Sequence, residues 1–303
     1  MQVNWTGVYP AVTTKFTPDD ALDLDTFGLN LDAQIAAGVH GIILGGTLGE
    51  ASTLTEAEKD RLLEYALKKS DGRIPVVLNI AEGSTSSAIA AAKRAVQNGA
   101  DGLMVLPPMR YASDHRETVA YFLAIADATP LPVMVYNNPV DYKTEVTLPM
   151  FEELVRHPHI QAVKESTRDV SNVTRLRNAF GDDLKILCGV DTLAMESLTM
   201  GADGWVAGLV CAFPVETVAV YNLVKADWPE EALAIYRWFL PLLELDLHPK
   251  LVQYIKLAEQ LAGIGTEYVR APRLRLAGDE RERIIGIIEK GLHSRPELPT
   301  LVI

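Results

Sequence analysis

Residues 99–108 read Gly-Ala-Asp-Gly-Leu-Met-Val-Leu-Pro-Pro. The first glycine follows an amphipathic segment, 85–98, and can take the left-handed conformation that ends a helix. The run after it, 102–108, has strand length and no polar alternation, the mark of a strand covered on both faces. The same device recurs as Gly38-Val-His-Gly41 and as Gly201-Ala-Asp-Gly204, each time ahead of another apolar run. Working outward, strands are expected at 7–16, 41–46, 75–82, 102–108, 132–138, 160–167, 185–191 and 204–210, with helical patterns such as 55–70, 85–98 and 114–128 between them. Parallel neighbours need a crossover, and helices supply it. One βα module repeated eight times therefore predicts an α/β fold, a (β/α)8 TIM barrel. An open doubly wound sheet would carry a glycine fingerprint after its first strand, and GVYPAVTTKF (7–16) leads into none.

Beyond residue 212 the pattern is wholly helical, at 214–225, 230–245, 250–262 and 280–292. The first of these completes the eighth βα unit. The barrel is accordingly assigned to 1–225 and a C-terminal helical subdomain to 226–303. It should pack on the barrel, because no Ser/Gly-rich linker sets it apart. A chain of 303 residues suits this division.

The 48% hydrophobic content excludes a disordered chain. No apolar run reaches the roughly 20 residues that span a bilayer, so no membrane partner is expected. The opening MQVNWTGVYP has neither a basic nor an apolar leader region, and Cys188 and Cys211 lie in apolar runs, which together predict a cytoplasmic protein. Forty acids against 28 Lys and Arg give a net charge of −12. Nucleic-acid binding calls for a basic stripe instead. The trio Arg270, Arg273 and Arg275 is explained more cheaply as a solvated loop or a helix-end or subunit contact. The six histidines show no metal-ligand spacing; His157 and His159 precede a strand at the wrong end of a barrel, and His248 starts a helix. No metal and no cofactor is expected.

In a parallel barrel the reacting groups sit at the C-terminal ends of strands. Alternation along IQAVKEST puts Ala162, Lys164 and Ser166 on one face and Val163 and Glu165 on the other. If the first face is the interior, desolvation lowers the pKa of Lys164 and frees a neutral amine that can attack a carbonyl. A lysine paired with Glu165 or Asp191 is the competing interpretation. Tyr136 ends the neighbouring strand, where its phenol could shuttle protons, or simply fill space with a polar tip. Gly45-Gly46-Thr47-Leu48-Gly49-Glu50 is a strand-to-helix turn whose backbone N–H groups can cradle an anion. It matches neither nucleotide pattern, since Leu44 stands where a dinucleotide glycine would and no Lys-Ser/Thr follows. A small-molecule carboxylate is the expected guest.

Taken together, GGTLGE (45–50), YNNP (136–139) and AVKES (162–166) resemble the dihydrodipicolinate synthase/N-acetylneuraminate lyase family, in matching order over roughly residues 5–225. The resemblance implies a homotetramer, or a dimer, whose Lys164 forms a Schiff base with a 2-oxo acid. It also implies that Tyr136 relays protons together with Thr47, that Gly46, Thr47 and Leu48 hold the substrate carboxylate, and that Gly189 and Val206 line the pocket.

Departures from the family pattern bear on the substrate. Leu48 replaces a second threonine of the synthases. Met109 stands where a relay tyrosine would come from a neighbouring subunit, with Tyr111 close by, and Asp141 replaces an arginine that grips a second carboxylate. This pattern, with HPKLVQYIK (248–256), is more similar to the family's deaminases and dehydratases, nearest to the Δ1-pyrroline-4-hydroxy-2-carboxylate deaminases of hydroxyproline breakdown. The alternatives are a dihydrodipicolinate synthase-like enzyme, a 2-keto-3-deoxy sugar acid aldolase or dehydratase, and a non-enzymatic small-acid sensor.

Overall fold

A computed structural model describes residues 1–108 and 111–299. Its strands are β1 (Gly7–Pro10), β2 (Ile42–Leu44), β3 (Val76–Ile80), β4 (Gly102–Val105), β5 (Val133–Asn137), β6 (Ile160–Glu165), β7 (Lys185–Cys188) and β8 (Gly204–Ala207). Every expected strand is present, shorter at its C-terminal end. All pair in parallel, in the order β1-β8-β7-β6-β5-β4-β3-β2. The barrel closes between β1 and β2 through the bridge from Ala11 to Ile43, with Val12 N–H donating to the Ile43 carbonyl at 3.0 Å. Nearly every strand residue is buried, as sheets covered on both faces require.

The crossovers are α1 (Leu24–Ala36), α2 (Glu56–Ser70), α3 (Thr85–Gln97), α4 (His115–Asp127), the short α5 (Pro139–Tyr142) with α6 (Leu148–Leu154), α7 (Ser171–Phe180), α8 (Ala194–Thr199) and α9 (Pro214–Lys225). Thr55 and Asp114 start α2 and α4 with reciprocal capping boxes to Glu58 and Glu117. The glycine device works as the sequence implies: Gly38, Gly99 and Gly201 have φ of 84°, 84° and 102°, a region that strains any side-chain-bearing residue.

The C-terminal region folds as α10 (Pro229–Leu243), a 3-10 turn at Glu244–Leu247, α11 (Leu251–Leu261) and α12 (Gly278–His293). The sequence pattern carries the first of these helices through 245. The structure instead tightens the chain into the 3-10 turn from Glu244, which presents Asp246 and Leu247 to the barrel mouth. Two buried ion pairs tie α11 to the barrel. Lys15 meets Glu259 at 2.9 Å, and Lys256 meets Glu50 at 2.5 Å, with all four side chains fully buried. Arg270 binds Glu58 and the Asp20 and Thr53 carbonyls, so part of the arginine trio holds the chain together. No helix among the described residues is long and apolar enough to cross a membrane.

Candidate active site

At the C-terminal end of the strands a cavity of about 80 Å3 opens. Lys164, Tyr136, Gly46, Thr47, Leu48, Gly189 and Val206 all line it, so the structure brings together the whole residue set expected from sequence. Parallel register sets Tyr136 beside Lys164 and Lys164 beside Leu187. Alternation along β6 then turns Lys164 and Ser166 inward and Glu165 outward.

Lys164 is 7% exposed, and its Nζ lies 4.1 Å from the centre of the Tyr136 ring. Neither proposed partner takes it. Glu165 accepts from Thr167 N–H and the Asn172 and Asn137 amides. Asp191 accepts from the Trp205 indole and from the Gly208 and Leu209 N–H groups. Among the described residues no carboxylate comes within 4.0 Å of the ammonium. Burial therefore pushes the Lys164 pKa down, against the weaker pull of Tyr142, Asp246 and Asp191. Gly189 allows the packing: a Cβ there would run into Ser166 Oγ and come within 2.6 Å of the Lys164 stem. Among the described residues the buried Ser166 hydroxyl finds no partner at hydrogen-bond geometry.

Burial pushes the Tyr136 phenol up to about 12, and it accepts from the Asn138 amide at 3.2 Å. Tyr142 packs edge-on to Tyr136, with ring centres 5.5 Å apart, and shares a 2.6 Å hydrogen bond with Thr47 Oγ1. Its pKa is likewise raised to about 12, by burial first and then by Tyr136. The structure places Tyr142 here through α5: Asn138 caps that turn by accepting from Asp141 N–H, and Pro139 stiffens its start. Tyr142 was missed by sequence reasoning, although it lies one position from the Asp141 that replaces the family arginine. Tyr111 is 58% exposed, outside the cavity lining, while Met109 lies outside the described residues.

The GGTLGE turn is held from three sides. Asn79 donates to the Gly45 carbonyl, Thr14 donates to the Gly49 carbonyl, and Glu50 is fixed at φ 52° by Lys256 and Arg270 N–H. Among the described residues the N–H groups of Gly46, Thr47 and Leu48 donate to no protein acceptor. Rigid, unpaired donors of this kind suit one carboxylate.

Asp141 stands at the cavity wall, accepting from the Asn138 amide at 2.8 Å, and Arg168 approaches it to 3.8 Å. Sequence reasoning missed Arg168, which follows β6, and Asp246, which is 82 positions from Lys164 along the chain (246 − 164) and joins it only through the fold. No cluster of metal-binding side chains occurs among the described residues. His159 is spent on the Ala126 carbonyl and His248 stacks on Tyr254.

Comparison with known proteins agrees with this geometry. The model of the dihydrodipicolinate synthetase family matches residues 4–290. A 4-hydroxy-tetrahydrodipicolinate synthase of Exiguobacterium sibiricum is 34% identical over 89% of this chain and 91% of its own. A solved dihydrodipicolinate synthase from Bacillus anthracis superposes with a TM-score of 0.92 at 25% identity, covering 98% of this chain and all of the other. The 4-hydroxy-tetrahydrodipicolinate synthase of Methylacidiphilum fumariolicum gives 0.90 at 26%, over 95% and 96%. These relatives are named as synthases, which matches the alternative weighed on sequence rather than the deaminase placed nearest. A barrel with a buried lysine on its sixth strand, matched by the family model over nearly the whole chain, belongs to the dihydrodipicolinate synthetase family.

Proposed function

We propose that this chain is a lyase that works through a Schiff base on Lys164. The observation that carries the reading is a buried amine without a carboxylate partner, in the same small cavity as an unfilled row of backbone donors. The carboxylate of a 2-oxo acid on Gly46, Thr47 and Leu48 would set its carbonyl carbon toward the amine. Attack by the neutral amine gives a carbinolamine, and loss of water gives the iminium. Tyr136 and Tyr142, both held in the phenol form, supply and return the protons. Borohydride added with pyruvate should fix the adduct on Lys164, located by peptide mass. Intact, folded protein that gains no adduct would sink the reading.

For the substrate, we infer Δ1-pyrroline-4-hydroxy-2-carboxylate, converted to 2-oxoglutarate semialdehyde and ammonia. One row of anion donors suits a substrate with one carboxylate, and the remaining wall carries the acids Asp141 and Asp246. Lys164 adds to C2 of the cyclic imine, and the ring nitrogen leaves C2 as an open-chain amine. Removal of a C3 proton gives an enamine that expels the 4-hydroxyl. Tautomerisation and hydrolysis then release ammonia. The second reading is condensation of pyruvate with aspartate semialdehyde, favoured by the names of the relatives and by Arg168, a cation that could meet a second carboxylate. Assays of ammonia release from the hydroxylated pyrroline and of condensation with the semialdehyde separate the two.

A further inference from the structure

One acid at the cavity mouth has no structural use. Asp246 reaches the cavity from the 3-10 turn, with its carboxyl against the end of β8, where a Cβ on Gly208 would run into it. Among the described residues no donor binds its oxygens. The other two acids nearby are occupied. Asp191 spends its carboxylate on the Trp205 indole and two backbone N–H groups and does not line the cavity. Asp141 accepts from Asn138 and faces Arg168. The phenols have other work: Tyr136, which accepts from Asn138, and Tyr142, which shares its hydroxyl with Thr47, are assigned above to the protons of iminium formation.

We propose that Asp246 is the general acid of the elimination step, giving its proton to the 4-hydroxyl as that group leaves. The proposal rests on the elimination reading above. Electrons move from the enamine nitrogen into the C2–N bond, from C2–C3 into C3–C4, and from the C4–O bond onto oxygen. The oxygen takes the Asp246 proton and departs as water. The enzyme-bound product is an unsaturated iminium, and Asp246 remains as a carboxylate until it regains a proton from water. Its surroundings suit both states. Burial, together with the nearby Asp191 and Asp141 carboxylates, raises its pKa well above the ordinary range. Lys164 and Arg168 oppose that shift and would stabilise the carboxylate after transfer.

The test compares wild type with Asp246→Asn in three measurements. Borohydride trapping of pyruvate on Lys164 should persist, because iminium formation does not use the acid. Ammonia release from the hydroxylated pyrroline should fall by about 100-fold or more in kcat, within the range for loss of a general acid. An analogue with fluoride in place of the 4-hydroxyl should release fluoride from wild type and variant at similar rates, since fluoride departs without needing a proton. Undiminished ammonia release by the variant overturns the proposal and leaves the elimination reading standing. Equal slowing on the fluoro compound also overturns it, because the loss is then not one of proton donation. Wild type that traps pyruvate yet releases no ammonia overturns both. Should Asp246→Asn fail to fold, Asp246→Glu replaces it: a restored carboxyl should keep trapping and at least a tenth of the ammonia release, and release below that with trapping intact overturns the proposal.

Discussion

A single lysine illustrates how stability and reactivity trade against each other in this protein. Lys164 loses its proton at a lower pH in the folded protein than in the unfolded chain. Between those two pKa values the unfolded chain binds more protons, so stability rises with pH there. The buried ammonium costs most at and below the lowered pKa, and the cost fades towards pH 10.5. Lys164→Met should therefore abolish the pyruvate adduct yet raise Tm at pH 7. Each tenfold weakening of proton binding by the buried amine contributes about 1.4 kcal/mol to that gain, which should shrink in melts repeated at higher pH. Conversely, the rate of adduct formation in wild type should climb with pH at values below those of an ordinary lysine. The hydroxyl contacts yield a second prediction. Tyr142→Phe removes the 2.6 Å bond to Thr47 and should slow deuterium exchange into the methyl of pyruvate by about 10- to 100-fold. Lys164 and Tyr136 were legible in sequence because strand alternation and strand order fix which side chains share a face. The place of Tyr142 in the cavity was not, because it depends on the direction of a four-residue turn.

At the scale of elements, the link between the GGTLGE turn and α11 fixes the turn and its free backbone donors, the cradle proposed above for a carboxylate. Glu50, at the end of that turn, takes the Lys256 ammonium at 2.5 Å and the Arg270 N–H at 3.0 Å, with both charged side chains of the ion pair fully buried. Burial lowers the Lys256 pKa to about 8 even though Glu50 pulls it up. Removing one partner strands the other charge. Glu50→Ala should cost about 3–5 kcal/mol, read as a lower midpoint in urea, and should also weaken trapping of pyruvate by loosening the turn. Glu50→Ala with Lys256→Met should recover much of that stability without restoring the cradle. A restored pyruvate affinity in the double variant would show that the pair does not position the turn. The eight strands and most helix ends were readable because periodicity, caps and glycines are local signals. The ion pairs were not, because Glu50 and Lys256 lie 206 positions apart.

For the whole molecule, the barrel and the α10–α12 helices work as one body, since the cavity takes its lysine from β6 and a roof acid from beyond residue 226. We propose that copies assemble as a homotetramer or dimer, as the resemblance implied. Sedimentation at micromolar concentration should give the mass of two or four chains of 33.2 kDa, and a monomer would refute that. The sequence by itself determined the barrel, the order of its strands and the residues along one strand face, because these follow from repeating short-range patterns of burial. It also determined the family, through three short motifs in order. Only the tertiary structure decided that Lys164 meets no carboxylate among the described residues, that Tyr142 rather than Tyr111 meets Thr47, and that Asp246 lines the cavity. Those outcomes depend on which distant segments close over the mouth of the barrel, and no local pattern of residues encodes a contact of that range.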